Sequence, residues 1–223
     1  MSLIHLKNVI KTYQSGAQQV EAVRDVNLQI ETGEFAVLAG PSGSGKTTLL
    51  NLIGGLDQPS QGEVLVEGLN LGICDAAQLA DFRLRRIGFI FQSFNLIPVL
   101  TAQENAEFVL MLQKSSVEKR KEKITSLFEE LGISGLESRK PSELSGGQQQ
   151  RVAIARAMAS EPAVVLADEP TANLDSETAT DLLHLMQRLN REQGTTFLFS
   201  SHDPLVIEHA GRVILLKDGR IEE

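Results

Sequence analysis

The chain has 223 residues, 42% hydrophobic and 22% charged, the composition of an ordinary folded domain, which excludes a disordered or fibrous chain. A formal net charge of -8 argues against a general surface for nucleic acid or anionic lipid, both of which require clustered Lys and Arg. The single cysteine, Cys74, rules out an intrachain disulfide and fits a reducing, cytosolic compartment. No apolar run approaches the ~20 residues that span a bilayer, and the N-terminal residues lack the plan of a signal peptide, so any membrane role requires another, spanning polypeptide.

In chain order, residues 3–9 and 23–30 alternate in character and read as strands of an antiparallel layer, joined through the polar residues 14–19. Residues 34–39 form a short apolar strand that runs directly into a glycine-rich loop, and residues 46–53 follow with helical character until Gly54 and Gly55 stop them. Between about residues 94 and 159 the pattern is helical. Thr101 with Glu104 spells a capping box, and residues 117–131 are charged and amphipathic. Strand patterns return at residues 163–167, 195–200 and 212–216, with a helix over residues 176–193 that Gly194 ends and a shorter one opened by Asp203 and Pro204. Alternating strands and helices predict an α/β fold with a mainly parallel sheet, whose ligand site lies where loops leave the C-terminal ends of the strands.

The chemical motifs fall at those ends. Gly40, Pro41, Ser42, Gly43, Ser44, Gly45, Lys46 and Thr47 fill the pattern G-x-x-x-x-G-K-[ST] between a predicted strand and a predicted helix. In that setting the glycines let backbone amides turn around a phosphate, the helix N-terminus adds positive potential, Lys46 reaches the β and γ oxygens, and Thr47 offers a hydroxyl to Mg²⁺. The loop by itself says only that a nucleoside triphosphate binds. Asp168 and Glu169 end the apolar strand at residues 163–167. The first is placed to orient the Mg²⁺ shell and the second to polarise an attacking water as general base.

A third motif decides the class. Leu144, Ser145, Gly146, Gly147 and Gln148, followed by a helical run through Met158, resemble the signature of the ATP-binding-cassette (ABC) ATPases. Ser145 can cap a helix whose first amides two glycines leave bare, a second anion site that the phosphate loop of the same chain does not need. The resemblance implies a P-loop ABC ATPase fold with a parallel sheet core, an antiparallel β layer and a helical signature subdomain. It implies one domain over residues 1–223, with residues 1–93 and 160–223 as core and 94–159 as the helical part. It further implies that two copies sandwich ATP between the phosphate loop of one and the signature of the other.

The same resemblance assigns the remaining positions. Tyr13 matches the aromatic residue stacked on adenine, Thr48 extends the phosphate loop, and Gln92 matches the glutamine that senses Mg²⁺ and water and signals to a membrane permease. His202 matches the switch histidine at the γ-phosphate, and Asp175 the loop that crosses the dimer interface. The residues around Phe91, Gln92 and Pro98 and the run from Asp168 to Asp175 look like the branch that serves lipoprotein release and macrolide-type export. The expectation is an ATP-hydrolysing subunit, peripheral on the cytoplasmic face of a membrane, with its own twin and an integral permease as partners and no nucleic acid. The competing readings are a non-transport ABC-type ATPase and a regulatory nucleotide-binding scaffold. A guanine-reading N-K-x-D motif is absent, and too few residues separate Lys46 from Ser145 for the long coiled coil of chromosome-structure relatives.

Overall fold

Alternation builds the first sheet. Strands β1 (Ser2–Ser15) and β2 (Gln18–Glu31) pair antiparallel with Ile4 opposite Ile30, Leu6 opposite Leu28 and Val9 opposite Val26. Those apolar residues are all buried while the residues between them on β2 face outward, as a side-chain period of two requires. The strands run well beyond the apolar stretches expected from the sequence, because the ladder continues through Thr12 opposite Glu21 and Tyr13 opposite Val20. Backbone hydrogen bonds do not need apolar side chains. The structure, a computed structural model, describes residues 2–16 and 18–222, with only the backbone of Ser15.

The chain divides into two compact units, one comprising Met1–Arg83 and Thr196–Glu223, the other Leu84–Thr195. In the first, β1 also pairs antiparallel with β4 (Gln61–Val66), which pairs with the two-residue β5 (Leu69–Asn70). A second set of strands is parallel at its centre: β3 (Phe35–Ala39) lies between β8 (Thr196–Ser201) and β9 (Arg212–Lys217), and β10 (Arg220–Glu222) returns antiparallel along β9. Every residue of β3 and β8 is buried, which explains the continuous apolar run of β3 and the Phe197, Leu198, Phe199 centre of β8. Phe35 packs its ring against Phe197 and Phe199 at centroid separations of 5.6 and 4.6 Å. Helix α1 (Lys46–Ile53) buries Leu49, Leu50, Leu52 and Ile53. The short α7 (Pro204–His209) starts under an Asp203 cap with Pro204 at its first position. Cys74 is buried beside the Asn70 carbonyl, a structural thiol.

In the second unit β6 (Ile87–Ile90) and β7 (Val164–Asp168) pair in parallel, surrounded by helices α3 (Ala102–Leu112), α4 (Val117–Glu130), α5 (Gly146–Met158) and α6 (Ser176–Gln193). The Thr101–Glu104 capping box forms in full, with the hydroxyl accepting from the Glu104 amide and the carboxylate from the Thr101 amide. Helix α6 buries Ala179, Leu182, Leu183, Leu185, Met186 and Leu189, one stripe at helical period, and Gly194 closes it in the left-handed conformation at φ 67°. Gly88 lets β6 approach α5 closely, since a Cβ there would lie 2.7 Å from the Ala157 carbonyl oxygen. Helix α2 (Ala76–Arg86), together with β4, β5 and β10, carries no distinctive sequence pattern and had no counterpart in the sequence reading.

Candidate functional site

The glycine loop between β3 and α1 can be built from glycine at two positions only. A Cβ on Gly40 would sit 2.0 Å from the Leu216 carbonyl oxygen, and one on Gly45 2.4 Å from that of Ala22. Gly45 is also left-handed at φ 102° and serves as N-cap without offering any side-chain acceptor, so the first amides of α1 have no capping oxygen. By contrast α3, α4, α5, α6 and α7 are all capped by a hydroxyl or carboxylate. Lys46, 6% exposed, donates from Nζ to the carbonyls of Gly40 at 2.7 Å and Pro41 at 3.0 Å, which turns two of the loop's carbonyls toward the ammonium. Ser44 presents a buried Oγ with no hydrogen-bond partner, and its carbonyl accepts from the Gly219 amide at 3.0 Å. Pro41, Ser42, Gly43 and Thr47 are exposed, and Thr48 is half-buried on the first turn of α1. A glycine-dependent turn leading into a helix N-terminus without a side-chain cap, beside one buried ammonium, suits a polyphosphate anion.

His202 leaves the sheet beside this loop. Ala39 of β3 is paired with Ser201 of β8, so Gly40 and His202 depart from adjacent strands, which lie ~4.8 Å apart; the His202 side chain is exposed. Tyr13, on β1 of the same unit, is 39% exposed and donates from its hydroxyl to Asp57 Oδ2 at 2.7 Å.

A second strand register assembles the other unit. Ile90 of β6 pairs with Ala167 of β7, so the segment carrying Gln92 emerges alongside Asp168 and Glu169. Glu169 has φ 45°, in the left-handed region that a residue with a Cβ adopts only when its surroundings impose it. The turn is held by the Ala172 amide, which donates to the Glu169 carbonyl at 3.2 Å. It is also held by Gln150 of α5, which donates to the Pro170 carbonyl at 2.6 Å. Asp168 and Glu169 are half-buried; Gln92 is exposed.

Ser145 caps α5 as its sequence predicts, in a reciprocal box with Gln148: the hydroxyl accepts from the Gln148 amide at 3.3 Å, and Gln148 Oε1 accepts from the Ser145 amide at 2.9 Å. Gly147 is needed there because a Cβ would come within 2.6 Å of the Thr178 methyl. Thr178 in turn donates through its amide and hydroxyl to Asp175, the N-cap of α6, at 2.9 and 2.7 Å. Those bonds hold the exposed Asp175 carboxyl below its usual range. Signature and Asp175 loop are thus packed together.

The Gln92 segment is tied to both. Asn173 donates to the Gln92 carbonyl at 2.8 Å, and Arg156 of α5 donates to the carbonyls of Phe94 at 2.8 Å and Asn95 at 2.5 Å. Phe94 and Asn95 both have positive φ, 61° and 49°, so the guanidinium anchors a strained turn, and burial lowers its pKa. Lys11, Asp57, Gln150, Arg156 and Asn173 escaped the sequence reading. Each acts on a partner distant in the chain, and nothing in local spacing advertises such a pair.

Among the described residues no helix is long and apolar enough to cross a membrane, and no cluster of three His, Cys, Asp or Glu could hold a metal ion. The ABC transporter family matches residues 23–172. An uncharacterized ABC transporter ATP-binding protein of Methanocaldococcus jannaschii, MJ0796, is 47% identical over 99% of this chain and 95% of its own. A macrolide export ATP-binding/permease protein, MacB, of Syntrophobacter fumaroxidans is 43% identical over all of this chain, which spans 31% of that protein's length. A solved dimeric structure of a post-hydrolysis state of the ATP-binding cassette MJ0796, bound to ADP and Pi, superposes with a TM-score of 0.91 at 45% identity, covering 99% of this chain and 97% of that one. With the family match over residues 23–172 and relatives similar over nearly its whole length, the chain belongs to the ABC transporter family and has the fold of its ATP-binding cassettes.

Proposed function

We propose that the chain is the ATP-hydrolysing subunit of an ABC transporter, one half of a nucleotide-sandwiching dimer that drives a separate membrane permease from the cytoplasmic face. The observation that carries this reading is the contrast at α1, which starts at the left-handed Gly45 with no side-chain cap, beside the buried Lys46 ammonium. The triphosphate of ATP supplies the acceptors. The adenine stacks on Tyr13, and Lys46, the loop amides and His202 offset charge on the γ-phosphate as the bond to it breaks. Glu169 orients the attacking water and takes up its proton.

Thr47, Asp168 and Gln92 present a hydroxyl, a carboxylate and an amide oxygen, the hard donor set that suits Mg²⁺ shared with phosphates rather than an all-protein cage. Mg²⁺ held there would neutralise part of the phosphate charge. Ser145, Gly146, Gly147 and Gln148 grip the nucleotide held by the twin, and Asp175 lies at the same interface. Residues 1–93 and 160–223 form the core of this single domain, and residues 94–159 form its helical part. The identity to MacB-type proteins favours export or lipoprotein release as the transport task.

Lys46→Ala tests the anchoring claim. Because it removes the one buried cation of the loop, ATP affinity by calorimetric titration should fall at least tenfold, and an unchanged affinity would contradict the assigned role.

A further inference from the structure

Tyr13 is not a free ring on a strand but the centre of a braced group. Its hydroxyl donates to Asp57 Oδ2 at 2.7 Å. Lys11 Nζ lies 4.9 Å from the ring centroid and donates to Asp57 Oδ1 at 2.6 Å and the Gln58 carbonyl at 2.8 Å. Asp57 accepts from its neighbour's amide as well, Gln58 N at 2.7 Å. Although burial opposes it, the hydrogen bonds from Lys11, Tyr13 and Gln58 hold the Asp57 carboxyl below its usual range. Both carboxylate oxygens are therefore engaged and the acid is ionised under ordinary conditions.

The placement of these partners is informative. Asp57 follows the end of α1, its amide donating to the Asn51 carbonyl at 3.3 Å. The ring on β1 is thus tied through Asp57 to the far end of the eight-residue helix that starts at the phosphate loop and spans ~12 Å. Lys11 lies over one face of the ring of the 39% exposed Tyr13, so a planar ligand stacked on it would take the opposite face.

We propose that Asp57, with Lys11, is a positioning residue for nucleotide binding: it locks the Tyr13 ring at a set distance and angle from the phosphate loop, so that one face is preorganised to receive the base. This rests on the reading of Tyr13 as the adenine platform. Preorganisation lowers the ordering cost of binding, so its loss appears in affinity for the whole nucleotide and not in the phosphate contacts or the chemistry.

The test compares ATP with inorganic tripolyphosphate, which has no base, on wild type, Tyr13→Phe, Asp57→Ala and Tyr13→Ala. Tyr13→Phe keeps the ring and removes only the bond to Asp57, and it needs no change in packing. Tyr13→Phe and Asp57→Ala should each raise the ATP Kd about three- to tenfold, while tripolyphosphate affinity stays within about twofold; Tyr13→Ala should raise the ATP Kd at least as much. If Tyr13→Ala weakens ATP but Tyr13→Phe and Asp57→Ala match wild type, the bracing claim is wrong and the platform stands. A loss of tripolyphosphate affinity equal to the loss of ATP affinity in Asp57→Ala also overturns it, because the acid then serves the loop. Wild-type ATP affinity in Tyr13→Ala removes the platform and the bracing claim together.

Discussion

Single residues carry this site through what they lack as often as through what they hold. Gly45 combines φ 102° with a would-be Cβ 2.4 Å from the Ala22 carbonyl oxygen, whereas Gly135, at φ 86°, has nothing within 4 Å. Gly45→Ala should therefore cost ~3 kcal/mol or more in stability and abolish measurable nucleotide binding, while Gly135→Ala should cost ~1 kcal/mol from backbone strain alone and leave binding unchanged. Thermal melts with ATP titrations on the two variants check the order, and equal losses would show that the close approach is not what demands glycine. The loop's sequence pattern was legible because the chemistry fixes residue types at fixed spacing. The positive φ of Glu169 was not, since a Glu after a buried strand gives no sign of the turn that Ala172 and Gln150 impose on it.

At the scale of elements, capping chemistry reads well because it is local. The boxes at Thr101 and Ser145 and the caps at Asp175 and Asp203 each satisfy amides within three residues, so sequence spacing alone locates them. Strand β4 and helix α2 were not legible: β4 opens on the exposed residues Gln61, Gly62 and Glu63, and α2 buries only Leu79. Their order comes from pairing and packing rather than from periodicity. The tie between Arg156 and the Phe94–Asn95 turn is of the same long-range kind. Replacing Arg156 by Met, which keeps a comparable stem, should destabilise the protein by ~1–3 kcal/mol. Hydrogen exchange at residues 92–95 should then rise while the amides of β7 keep their protection. A uniform rise across the unit would mean the guanidinium supports global packing instead of this turn.

Over the whole molecule, the N-terminal ends of α1 and α5 are built differently. Helix α1 starts at Gly45 with no side-chain cap, while the start of α5 is capped by Ser145 and is packed through Gly147 against Thr178 and the Asp175 loop. In the proposed sandwich the capped end meets a nucleotide brought by another molecule, and ATP would favour closure by binding the closed pair more tightly. Size-exclusion chromatography with light scattering on Glu169→Gln tests this most directly, since that change removes the carboxylate proposed to orient water and spares the residues proposed to hold phosphate. The expected result is a species of twice the chain mass with ATP, a single-chain species with ADP, and loss of the ATP-dependent form when Ser145→Arg is added. A Glu169→Gln protein that binds ATP and remains a single chain at every concentration would contradict it.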